Sequence, residues 1–188
     1  MFLDKSRVPV EKLADPRLQE WENDMLKLLQ DNPSYRRFCC VHEAGHAVYY
    51  ERAGVMRVIF HGPVALYSAE TDEFDFGGAA VALVWPDAGV EMDLLTMARC
   101  YVAGGVVARV LTTRIDEDSD GRDREEFIRE CPRLCPGITP EEISELWEQA
   151  KKDVQVDLRS PAFRHELWRR ATEFENQILR NSGCSTGK

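Results

Sequence analysis

The sequence predicts a mainly α-helical domain with a small β-sheet. Three observations carry that expectation. Apolar residues recur at helical spacing through most of the chain, prolines and glycines punctuate those stretches as caps and stops, and only the middle, Val55 to Trp85, turns β-branched. The 188 residues suit one compact domain, and their 44% hydrophobic content is enough for a real core. The expected division is a helical N-terminal segment over 1–33, a core over 34–180 and a flexible tail over 181–188.

The elements follow in order. Asp15-Pro16 is a cap followed by a first-turn proline, and Leu18, Trp21, Met25, Leu28 and Leu29 then repeat at helical spacing. Asn32-Pro33-Ser34 stops that helix and caps the next, expected from Tyr35 to Ala53 and ending near Gly54. Val55–Phe60 and Ala79–Trp85 read as strands, two or three in all. Glu91 to Thr113 returns to helix, broken or closely packed at Gly104-Gly105. After the polar loop DEDSDG come helices over Asp123–Glu130, Pro140–Leu158 and Pro161–Leu179. Thr139 and Ser160 each stand before a proline as caps. In the last helix Phe163, Leu167, Ala171, Phe174 and Ile178 form a stripe that should face the core.

Charge narrows the function classes. The formal net charge is -9, a field that repels a phosphate backbone, and the basic pairs Arg169-Arg170 and Lys151-Lys152 sit among glutamates. No nucleic-acid partner is expected. With no run of about 18 apolar residues and a charged, proline-interrupted start, neither membrane insertion nor a secretory leader is expected. The chain therefore reads as cytoplasmic, and its six cysteines as reduced thiols.

The chemistry lies in His42-Glu43-Ala44-Gly45-His46, an H-E-x-x-H pattern inside a predicted helix. Residues four apart share a helix face, so both imidazoles can reach one metal ion. Two imidazoles with a carboxylate and an open fourth position make a catalytic zinc site, and zinc lowers the pKa of the water it holds to about 7. Glu43, beside the metal without ligating it, is placed to take a proton from that water and deliver it to a leaving amine. Gly45 costs a helix about 1 kcal/mol relative to alanine, which a close backbone approach there would explain. The rival reading is two buried histidines on an ordinary core helix.

Such a site needs a third protein ligand. His61 and His165 are isolated and read as surface or packing residues. The stretch DEDSDGRDREEF, at a loop-to-helix junction, offers Asp118, Asp120 and Asp123, and spacing alone does not choose among them. Asp123 in particular would cap a helix and could still offer its carboxylate sideways. Cys131 and Cys135 lack the further ligands a structural zinc site needs and read as plain thiols. Cys39, one turn before His42, reads as a small buried hydrophobe, and Trp21, Trp147 and Trp168 as core. Tyr49 and Tyr50 read as packing residues.

HEAGHAVYY resembles the HEAGHA helix of the FtsH-type zinc metallopeptidases, the protease part of the membrane-bound AAA proteases. The segment YVAGGVVARVL is similar to that family's helix of the type L-x-G-x-A-A-E, which precedes the third ligand. The resemblance spans 36–128 and implies an FtsH-peptidase-like helical fold. It also implies an aspartate ligand that opens a helix after a polar loop; carried over by position this is Asp123, with Asp120 as the fallback. The strands between would flank the cleft, with Ala79 to Leu83 as the edge that receives extended substrate. Arg109 departs from the family by standing near its usual glutamate, and no phosphate-loop pattern G-x-x-x-x-G-K-[ST] occurs.

The leading expectation is an ATP-independent zinc metallopeptidase. Zinc is held by His42, His46 and Asp123, Glu43 is the general base and then the acid, and the substrate is a peptide or protein. The alternative is a catalytically silent zinc-binding regulatory or protein-interaction module. A third is a helical interaction protein without metal.

Overall fold

A computed structural model describes residues 4–55, 57–61, 64–76, 80–84, 91–112 and 120–183. Among them are six α-helices and five short strands, so the protein is mainly helical with a small β component. The helices are α1 (Pro16–Asp31), α2 (Pro33–Arg52), α3 (Leu94–Leu111), α4 (Gly121–Leu134), α5 (Pro140–Asp157) and α6 (Pro161–Gly183).

Local chemistry sets the helix ends. The side chains of Asp15, Asn32 and Asp93 accept from the backbone N–H groups of Arg17, Tyr35 and Thr96, opening α1, α2 and α3. Thr139 and Glu142 form a reciprocal capping box on α5. Each such cap is worth about 1 kcal/mol. At the other end of α2, Gly54 adopts a φ of 98°. The Val55 N–H then donates to the Tyr50 carbonyl at 3.0 Å and the Gly54 N–H to that of Glu51 at 3.1 Å. This is the Schellman closure that a left-handed glycine permits.

The core lies between helices. α3 packs against α2, α4 and α5, and α2 packs against α3 and α6. Phe127, Trp147, Phe174, Leu167 and Ile178 are fully buried, and the whole expected stripe of α6 faces inward. Burying side chains of this size contributes roughly 1.5–3 kcal/mol each. α3 is long and apolar enough to cross a membrane by length and composition, which revises the expectation that no segment would be. Its surface is nonetheless largely taken up by its helical neighbours.

The close approach expected at Gly45 is present. A Cβ on Gly45 would lie 2.7 Å from the Ala103 carbonyl oxygen and 3.1 Å from Gly104 Cα. Only glycine allows α2 and α3 to cross at this distance. α3 is unbroken at Gly104-Gly105, so close packing is the reason for that pair.

The strands form two small sheets rather than one. β1 (Asp4–Arg7) runs parallel to β3 (Val64–Ser68), which pairs antiparallel with β4 (Glu73–Phe76). β2 (Arg57–His61) pairs antiparallel with β5 (Ala80–Val84), and both touch α2. β1 is a strand where helix was expected, because four residues can be held by pairing that their own sequence does not announce. The candidate substrate edge Ala79–Leu83 falls mostly on β5, with Ala79 outside the described residues. Val8, Leu18 and Ala65 make a separate small core under the first sheet, with Trp21 packed on it.

Candidate metal centre

Helical periodicity puts His42 and His46 one turn apart on the same face of α2, with ring centroids 4.7 Å apart. Their Nε2 atoms converge to 3.0 Å. α4 brings Asp123 to the same point: its Oδ2 lies 3.3 Å from His42 Nε2 and 3.2 Å from His46 Nε2. These are the three groups among the described residues that could hold one metal ion.

The spacing fits such an ion. Zinc bonds of about 2.0–2.1 Å at tetrahedral angles place neighbouring donors roughly 3.3–3.4 Å apart. The three observed separations of 3.0, 3.2 and 3.3 Å approach one face of that tetrahedron. Side-chain exposure rises from 7% at His46 through 13% at His42 to 23% at Asp123, so all three are mostly buried.

α3 serves this site without contributing a ligand side chain. The Nδ1–H of His46 donates to the Cys100 carbonyl at 2.7 Å, which directs the Nε2 lone pair toward the other donors. One turn later, Gly104 leaves the space in front of both rings open. A Cβ there would lie 2.6 Å from His42 Nε2 and closer still to His46 Nε2.

Charge balance in the metal-free site is set by competing effects. Burial alone disfavours the His46 cation, but Asp123, with smaller help from Glu43 and the Cys100 carbonyl, outweighs it and raises the pKa to about 9. Burial likewise disfavours charge on Asp123, yet His46 and His42 outweigh it and hold the carboxyl well below the usual carboxylate range. Burial pushes the Glu43 carboxyl up to about 7, against the opposing pull of His42 and His46. Glu43 is itself only 5% exposed and sits next to the ligand pair on the chain.

Two expectations about the acidic stretch need correction. Asp123 does not cap α4; it lies inside the first helical turn, three residues after the N-cap Asp120. That position turns its carboxylate across toward α2 rather than back onto its own backbone. The fallback ligand Asp120 faces elsewhere, because Arg109 takes both its oxygens, at 3.1 Å and 3.0 Å. Asp118 lies outside the described residues.

The other marked residues fall as follows. Trp147 is buried core, His165 is exposed and Trp168 is partly buried against the main core. The side chain of His61 lies outside the described residues. Tyr49 packs in the core and donates its hydroxyl to Asp157 at 2.6 Å. Cys39 is partly buried, and Cys131 and Cys135 are unbridged, one buried and one exposed. Neither the Cys100 carbonyl nor the Arg109–Asp120 pair is legible from sequence. The first has no side-chain signature, and the second had one faint signal, the arginine where the resemblance leads one to expect glutamate.

No family model, curated protein or solved structure matches this chain.

Proposed function

We propose that the protein is a zinc metallopeptidase of the FtsH type. The observation that supports this best is the convergence of His42, His46 and Asp123 within hydrogen-bonding distance, with a buried glutamate adjoining His42 on the same helix. His42 and His46 would hold the ion through Nε2 and Asp123 through a carboxylate oxygen. Zinc there supplies Lewis acidity and acidifies the attacking water.

The protein's own groups do the rest. The Cys100 carbonyl and Asp123 orient the imidazoles. Glu43 takes one proton from water as its oxygen bonds to the peptide carbonyl carbon. It returns that proton to the nitrogen as the C–N bond breaks, so atoms and charge balance. Burial lifts Glu43 above its ordinary 4.5, and a nearby dication would draw it back down, keeping a base available near neutral pH. With no phosphate loop in these 188 residues, the domain itself would act on peptides, flexible segments or proteins delivered by a partner. β5 is the strand we propose for extended substrate.

The test is hydrolysis of a peptide library by protein loaded with zinc, after chelation, and as Glu43→Gln. Hydrolysis should vanish on chelation, return with zinc, and be lost in Glu43→Gln while its zinc content stays that of wild type. Hydrolysis surviving Glu43→Gln overturns the mechanism. Zinc bound without hydrolysis of any peptide supports the silent regulatory module instead.

A further inference from the structure

We infer that Arg109 and Asp120 are a positioning pair that sets the start of α4 so that Asp123 meets the two histidines. The inference rests on the metal centre proposed above. Asp120 occupies the N-cap of α4, where an aspartate would ordinarily accept from the helix's own N–H groups, yet it makes no such side-chain bond. Its carboxylate is committed instead to the Arg109 guanidinium in a two-pronged arrangement, one oxygen to each terminal nitrogen. Burial works against charge on Asp120, but Arg109 outweighs it and keeps the carboxyl below its ordinary value.

The packing agrees with that assignment. Gly105 lies one turn before Arg109 on α3, and a Cβ added to it would come 2.8 Å from Asp120 Cβ. Glycine and arginine thus receive Asp120 together, one giving room and the other charge. Asp123 follows three residues later, so whatever fixes Asp120 fixes the height and rotation of Asp123 over α2. Further along, α4 is anchored by Phe127, whose ring meets Tyr101 at 6.0 Å and Trp147 at 5.5 Å. That contact lies beyond Asp123, so α4 needs the pair at its near end to keep the carboxylate from swinging away. The arginine that departs from the family pattern acquires a role here.

The experiment measures zinc affinity by competition with a chromophoric chelator, beside thermal unfolding of the chelated protein. The chains compared are wild type, Arg109→Met, Asp120→Asn, the double variant, Arg109→Lys and Gly105→Ala. Both single changes should weaken zinc binding by about 10–100-fold. The double variant should be no weaker than the worse single, and Arg109→Lys should recover part of the loss. Gly105→Ala, which displaces Asp120 without removing charge, should weaken binding in the same direction. Melting of the chelated variants should change little. Wild-type affinity in Arg109→Met and Asp120→Asn overturns the pair and leaves the metal centre standing. Lowered melting with unchanged affinity also overturns it, because the pair then merely supports the fold. Wild-type protein that takes up no zinc overturns the metal centre, and the pair's role with it.

Discussion

His46 and Cys100 are joined across two helices by a hydrogen bond of 2.7 Å from the ring Nδ1 to a main-chain carbonyl. The acceptor is backbone, so no side-chain substitution at Cys100 deletes it. The same helix meets the other ring nitrogen one turn later with Gly104, whose missing side chain clears the space in front of Nε2. α3 therefore governs both ends of one imidazole, holding the first and leaving the second free.

Gly104→Ala should abolish zinc uptake or weaken it on the order of 100-fold. The new methyl would stand 2.6 Å from His42 Nε2 and nearer to His46, in the volume where an ion must sit. Zinc content per chain by elemental analysis checks this, and full occupancy in the variant would count against the site.

Gly45→Ala should act on stability instead. Helix propensity favours alanine by about 1 kcal/mol, but this Cβ meets the Ala103 carbonyl, which is backbone and cannot rotate aside. Overpacking of that kind costs about 1–3 kcal/mol, so the net sign should be destabilising. Denaturant unfolding of chelated protein measures it. A variant as stable as wild type would mean that the two helices separate at no cost.

The chelated protein should lose stability as the pH rises from about 6 to above 9. His46 titrates at about 9 when folded, against an ordinary 6.5. A raised folded-state pKa contributes in full below the unfolded value and is lost as pH climbs through the folded one. The expected loss is on the order of a few kcal/mol, and His46→Gln should remove the part above about pH 7, the part below it belonging also to the raised Glu43 carboxyl. Asp123 has the opposite sense, contributing above its ordinary 3.8 and losing that only as pH falls toward its depressed value. Zinc must displace the His46 proton, so its effect on the melting temperature should be larger at about pH 8.5 than at pH 6. Chelated wild type equally stable at both extremes would contradict the charged His46.

Much of this is legible in the sequence where local rules dominate. Asn32, Thr139 and the first-turn prolines announced their helices because capping is a matter of a few neighbouring atoms. Helix periodicity pairs His42 with His46, and Gly45 stands out because glycine is costly inside a helix. Only the family resemblance singles out Asp123, and no local signal tells its place inside the first helical turn from a cap. An aspartate at a loop-to-helix junction can cap or can reach sideways, and what decides is Arg109, eleven residues away from Asp120. The strand at Asp4–Arg7 has no local sequence signal, because it pairs with Val64–Leu66, distant in sequence.

Arg36, at the start of the histidine helix, binds the Leu29 and Gln30 carbonyls of α1 and pairs with Glu175 of α6 at 3.1 Å. Arg36 and Glu175 are separated by 139 positions, and both are almost wholly buried. A contact of such span carries the closure entropy of most of the chain. During synthesis the histidines leave the ribosome long before the glutamate that secures their helix. Until α6 is made, the histidine helix lacks the buried carboxylate that Arg36 pairs with.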